Sequence, residues 1–142
     1  MTAAEARLHG ALAEMLLALE DGPAAREHAE RALRLRGDRL PDKDPRRAAL
    51  RAKLGRGWLL ENRYEEAIHE LGRAGELRAC PRPFDEELDD VVAWTAHAQA
   101  LAALDRRDEA REAFDRAVRA VADLRGNELA ISAHARWLAP TC

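Results

Sequence analysis

Residues 54–74 read Leu54-Gly55-Arg56-Gly57-Trp58-Leu59-Leu60-Glu61-Asn62-Arg63-Tyr64-Glu65-Glu66-Ala67-Ile68-His69-Glu70-Leu71-Gly72-Arg73-Ala74. Apolar and small residues recur here at spacings of three and four on both sides of the polar break Glu61-Asn62-Arg63. Two amphipathic helices joined by a tight turn follow from that pattern. The same order occurs twice more. Trp94, Ala98 and Leu101 lead into Asp108-Glu109-Ala110, Phe114 and Ala117, and Leu12-Ala13 and Leu16 lead into Ala25, Ala29 and Ala32. Ala25 and Ala67 lie 42 residues apart, and Ala67 and Ala110 lie 43 apart.

This spacing resembles the tetratricopeptide repeat, whose helix pairs carry W-x2-L-G-x2-Y, then A-x3-F and a second small residue. The resemblance implies an all-α, right-handed α-solenoid in a single domain over 1–142. Its three helix pairs would span about 3–36, 44–79 and 85–124, and a capping helix at 127–139 makes seven helices. Standard repeats have a period of about 34 residues. The longer period here is similar to that in sensory modules of large bacterial transcription regulators and peptide-sensing receptors.

Composition agrees with an all-α fold. The chain of 142 residues is 47% apolar but only 4% aromatic, so alanine must supply much of the core. Strand formers are scarce: Ile stands at 68 and 131 and Tyr only at 64. Cap signals place the boundaries. Thr2-Ala3-Ala4-Glu5 opens a helix to about Leu19, and Asp21-Gly22-Pro23 opens one that Gly37 closes. Asp44-Pro45 starts a third helix to about Leu60, and Asn62 caps a fourth with Glu65 at its third position. The acidic run Asp85-Glu86-Glu87 favours a fifth start, reaching Leu104. A sixth helix begins at Asp105 or Asp108 and ends at Gly126, with Ala110, Ala113, Phe114, Ala117, Val118 and Val121 as its apolar stripe. Asn127-Glu128 opens the capping helix, which Pro140 stops. Its Trp137 and Leu138 either seal the array or form a homodimer contact.

No catalytic constellation is legible. Ser132 is the only serine, and His9, His28, His69, His97 and His134 fall on five different helices without a second ligand at metal spacing. Gly55-Arg56-Gly57 lies inside a helix and lacks the lysine ending of a phosphate loop. It is better read as the place where paired helices touch. No enzyme activity, cofactor or metal is expected. The start lacks the basic-then-apolar order of a leader, and Met15-Leu16-Leu17-Ala18-Leu19 is too short to span a bilayer. A cytoplasmic location is therefore expected. Cys80 and Cys142 are too few for a disulfide framework.

The resemblance implies a function of binding another protein or a peptide in the concave groove lined by the first helix of each pair. On matching positions the lining residues are Arg7, Glu14, Leu17, Lys53, Arg56, Leu59, Thr95, Gln99 and Ala102. The carboxylate clamp of the chaperone-binding members is not kept, because its places hold Gly10, Glu14, Lys53, Val92 and Ala96. The cations Lys53 and Arg56 suit a partner that carries acidic residues. Residues 31–56 carry a net charge of +7 within a chain of net −3, and Arg46, Arg47 and Arg51 form a basic patch at the third helix. Either a partner uses that patch or neighbouring acidic helix ends neutralise it. Nucleic acid is not expected, since the overall charge is negative and no aromatics interleave the arginines. Alternative functions are a small chaperone for an exported protein, or a regulatory subunit or sensor fragment of an enzyme or transcription regulator.

Overall fold

The computed structural model describes the backbone of residues 2–37, 44–77 and 84–132 and the side chains of 3–37, 44–75 and 91–122, and six helices are present among the described residues. They are α1 (Thr2–Ala18), α2 (Gly22–Arg36), α3 (Pro45–Leu60), α4 (Tyr64–Leu77), α5 (Phe84–Ala103) and α6 (Arg107–Ser132). Among the described residues there is no strand. The expected caps form at two starts. Asp21 accepts a bond from the Ala24 N–H at 3.2 Å, and Asp44 accepts one from the Arg46 N–H at 2.9 Å, each ahead of a proline in the first turn.

The turns inside the three pairs share one geometry. Glu20, Asn62 and Asp105 each adopt a left-handed backbone, with φ of 59°, 59° and 60°. In each turn the next residue's N–H reaches back to the carbonyl five positions earlier: Asp21 to Leu16, Arg63 to Trp58, Arg106 to Leu101. That bond is the signature of a Schellman closure. The same three residues then offer their carbonyls to Ala25, Ala67 and Ala110, which starts the second helix. The repeat legible in the sequence is thus a repeat of backbone hydrogen bonds. It also corrects one expected cap. Asn62 closes α3 and takes a hydrogen bond from the Tyr64 hydroxyl at 3.0 Å, while the carbonyl that starts α4 belongs to Arg63.

Alanine builds the core. Ala13, Ala25, Ala29, Ala32, Ala48, Ala67, Ala74 and Ala100 are all fully buried, which brings backbones close together. Gly55 takes that approach furthest. A Cβ there would stand 2.6 Å from the Leu71 Cγ, so only glycine lets α3 and α4 meet as they do. Between pairs, Gly22 of α2 and Gly57 of α3 lie face to face, and a Cβ on Gly22 would come within 2.8 Å of the Gly57 carbonyl. Each helix packs on the next in the chain. Beyond that, α1 touches α3 and α3 touches α5, whereas no contact joins α2 with α4 or α4 with α6 among the described residues.

Two expectations for the last part of the chain are not met. Gly126 does not end α6, which continues without a break to Ser132. A mid-helix glycine costs only about 1 kcal/mol, too little to stop a helix by itself. The rest of the expected capping helix, with Trp137 and Leu138, lies outside the described residues, as do Cys80 and Cys142. The apolar stripe of α6 is also only half used. Ala113 and Ala117 are buried, but Phe114, Val118 and Val121 are exposed. Leu71, the counterpart of Phe114 one repeat earlier, is buried because α5 lays Ala93, Ala96 and Ala100 over it. Among the described residues no helix follows α6 to do the same.

Candidate partner-binding groove

α3 is in contact with both α1 and α5, and these three helices carry the expected groove residues. Most of their polar groups already have partners within the fold. The Lys53 ammonium donates to the Gly10 carbonyl at 3.3 Å, and the Arg56 guanidinium holds both Glu14 oxygens at 3.1 and 3.2 Å. These bonds tie α3 to α1. The Thr95 hydroxyl donates to the Val91 carbonyl one turn back, at 2.7 Å. Leu17 is buried and belongs to the core, and Leu59 is half-buried against the α4–α5 cluster. Arg7, Gln99 and Ala102 are exposed. The expected groove residues thus divide into exposed amide and small apolar positions on α5, at Gln99 and Ala102, and a charge cluster of Glu14, Lys53 and Arg56 that links α1 to α3.

The arginines of the basic patch are engaged as well. Arg46 donates to both Asp44 oxygens, at 2.9 and 3.0 Å, and those bonds hold the Asp44 carboxyl below its ordinary range against the effect of burial. Arg47 donates to the Gly37 carbonyl at 2.9 Å, which links the N-terminal turn of α3 to the end of α2. Arg51 pairs with Glu70 of α4 at 3.3 Å. Nearby, burial and then repulsion from Arg46 push the Arg36 guanidinium down from its ordinary value, while Asp44 opposes the shift.

Three arrangements escaped the sequence. Arg26 of α2 grips Glu61 through Nε and through Nη2, the latter at 3.0 Å, and lays its guanidinium 3.7 Å over the Trp58 ring. The Glu61 hydrogen bond raises the Arg26 pKa further. His9 and His28 stack with ring centroids 5.1 Å apart and share a hydrogen bond between their Nδ1 atoms at 2.8 Å. This pair occupies the slot that Arg51 and Glu70 fill one repeat later, since both pairs lie 19 residues apart in sequence. The repeat period was the available signal: shifting His9 and His28 by 42 lands on Arg51 and Glu70. His97 stacks on Trp94 at 5.8 Å, and its Nδ1 is buried without a hydrogen-bond partner.

Among the described residues no cluster of three His, Cys, Asp or Glu could hold a metal ion, and no helix is long and apolar enough to cross a membrane. No protein-family model matches the chain, and no curated protein matches it at a significant level.

Proposed function

We propose that the chain is a non-catalytic binding module, a right-handed α-solenoid of three tetratricopeptide-like helix pairs that holds a peptide or a segment of a partner protein. The observation that carries this reading is the contact pattern. The first helices α1, α3 and α5 touch one another in series, while no such contact joins the second helices among the described residues. A stack that is closer on one side than the other curves, and its inner side is a trough lined by α1, α3 and α5. The identical left-handed turns at Glu20, Asn62 and Asp105 support the same repeat.

The preferred ligand is an extended or helical segment with small apolar side chains against Ala102 and Gln99. An acidic residue of that segment exchanges with Glu14 for Arg56 and Lys53. Such an exchange replaces one charge-assisted bond by another at small net cost, so it contributes to selectivity more than to affinity. The test is capture of a partner from the native host, followed by binding of that partner to two variants. Lys53→Glu combined with Gln99→Arg is expected to lose it, and Arg111→Glu on the exposed side of α6 is expected to keep it. Equal binding by both variants removes the groove from consideration, and failure to capture any partner removes the function.

A further inference from the structure

The outward side of α1 is an open apolar seam. Leu8, Met15 and Leu19 are 57%, 61% and 72% exposed, and Leu12 between them is half-buried. Between Leu8 and Leu19 every exposed residue, namely Ala11, Met15 and Ala18, is apolar. The spacing of 8, 12, 15 and 19 alternates four and three, which is the seam of a two-stranded helical contact. The matching residues of α3 show what this side does elsewhere in the molecule. Leu54, Gly57 and Glu61 occupy the places of Leu12, Met15 and Leu19, and they are the ones that meet Ala29, Gly22 and Arg26 of α2. No described helix covers the same side of α1.

We propose that this seam binds a second copy of the chain, with the two α1 helices antiparallel about a twofold axis between Ala13 and Glu14. Antiparallel pairing sets each residue against the partner position for which the two numbers sum to 27. Leu8 then meets Leu19, and Leu12 meets Met15, once on each side of the axis, as a self-complementary interface requires. The same register brings the exposed Arg7 beside the partner turn that carries Glu20 and Asp21. A parallel arrangement would instead set Arg7 on Arg7 and Glu20 on Glu20, and like charges so placed oppose association. Ala11 and Ala18 flank the seam and let the helix axes approach closely. The groove side of α1, with Gly10 and Glu14, faces α3 and stays clear of this contact. Association through this seam is therefore independent of ligand binding on the groove side.

The seam is roughly 16 Å long, from Leu8 to Leu19 at about 1.5 Å per residue, so the dimer is weak and concentration-dependent. Sedimentation equilibrium from about 10 µM to about 1 mM is expected to show a monomer passing to a discrete dimer. Met15→Glu and Leu8→Lys, each at an exposed site, should stay monomeric with unchanged melting midpoints, and Val118→Glu on α6 should still dimerise. Register is tested in a background with Cys80 and Cys142 replaced by serine. Leu8→Cys protein mixed with Leu19→Cys protein should form a disulfide-linked pair on oxidation, while either alone should not. A chain that remains monomeric throughout overturns the proposal. So does growth to larger species that Val118→Glu abolishes, and so does equal cross-linking by Leu8→Cys alone.

Discussion

His97 stands where leucine stands in the two earlier repeats, at Leu12 and Leu54, and replacing it with leucine should stabilise the protein. Its ring packs near Gly72 of α4 and stacks on Trp94, yet its Nδ1 is buried without a partner. A buried, unbonded polar atom costs about 1–3 kcal/mol, and the lower part of that range applies because the ring keeps some contact with solvent. Leucine removes that cost and adds about 1 kcal/mol of apolar burial, while losing about 0.5 kcal/mol of ring stacking. The net gain for His97→Leu is about 1–2 kcal/mol, or roughly 3–6 °C in melting midpoint for a domain of this size. The pH dependence gives a second and sharper readout. Burial first, then the charges of Arg106 and Arg116, lower the His97 pKa below 6.5, with Glu109 opposing them. Below about pH 6.5 the unfolded chain takes up a proton that the folded one refuses, so this group withdraws stability as the pH falls. The slope reaches at most about 1.4 kcal/mol per pH unit for one group. Urea denaturation of the two proteins at pH 7.5, 6.5 and 5.5 measures the difference directly. The gap between His97→Leu and the parent should widen from neutral to acid pH. A gap that is absent, or that stays constant across the series, refutes the reasoning.

Four further outcomes follow from other contacts. Gly55→Ala should cost about 1–3 kcal/mol in denaturant midpoint, because its Cβ would stand 2.6 Å from Leu71; an unchanged midpoint would show that α3 and α4 separate freely. Arg26→Ala should cost about 1–2 kcal/mol through loss of the Glu61 fork and the Trp58 stack, and Arg26→Lys should recover less than half of it in thermal melts. Glu20→Gly should raise stability by about 0.5–1 kcal/mol by relieving a left-handed non-glycine backbone, with a smaller gain for Asp105→Gly, since aspartate tolerates that conformation better. His9→Arg together with His28→Glu transplants the Arg51–Glu70 pair into the first repeat. A double-mutant cycle should give a favourable coupling of about 0.5–1 kcal/mol, and zero coupling would show that the two slots are not equivalent.

The order of the first six helices and the starts of α2 and α3 are legible because the chain is punctuated by groups that act locally, whereas Gly126 does not mark the end of α6. Asp21-Gly22-Pro23 and Asp44-Pro45 open helices through a side chain and a ring that need no distant partner. The buried alanines were legible too, since Ala25, Ala67 and Ala74 sit on a period that only close packing explains. Asn62 reads in the sequence as an N-cap because asparagine serves equally in that role and as a left-handed closing residue. Only the path of the backbone at Arg63 decides between them. The Glu14–Arg56 and Arg26–Glu61 pairs span 42 and 35 residues, and no local rule chooses one arginine over another at that range. Pairing of these side chains also alters the candidate groove. Cations that read as open in the sequence are held by Glu14 and Gly10 in the fold. The exposed Phe114 shows the converse. Its spacing signals burial, but burial needs a covering helix, and spacing within α6 carries no information about one.

In the proposed solenoid, α1 and α6 are the outer helices among the described residues, and their outward sides differ chemically from the junctions between pairs. At the first internal junction Gly22 faces Gly57, and at the second Tyr64 packs against a cluster of mostly alanine that includes the corresponding residue Ala100, so each junction includes at least one residue small enough for close approach. If a second copy continued the stack, with its α1 seated on α6, the corresponding positions would be Arg107 and Met15. Neither is small, and the next pair outward would set Arg111 against Leu19, with no carboxylate in the place that Glu61 fills for Arg26. Head-to-tail growth would thus bury an arginine without its partner and force the helices apart, costs that a run of identical contacts would incur at every step. The seam on α1 has no such conflict with itself. Leucine and methionine oppose leucine and methionine, and the charges sit outside the apolar strip. A closed pair therefore uses the open end that continued stacking cannot.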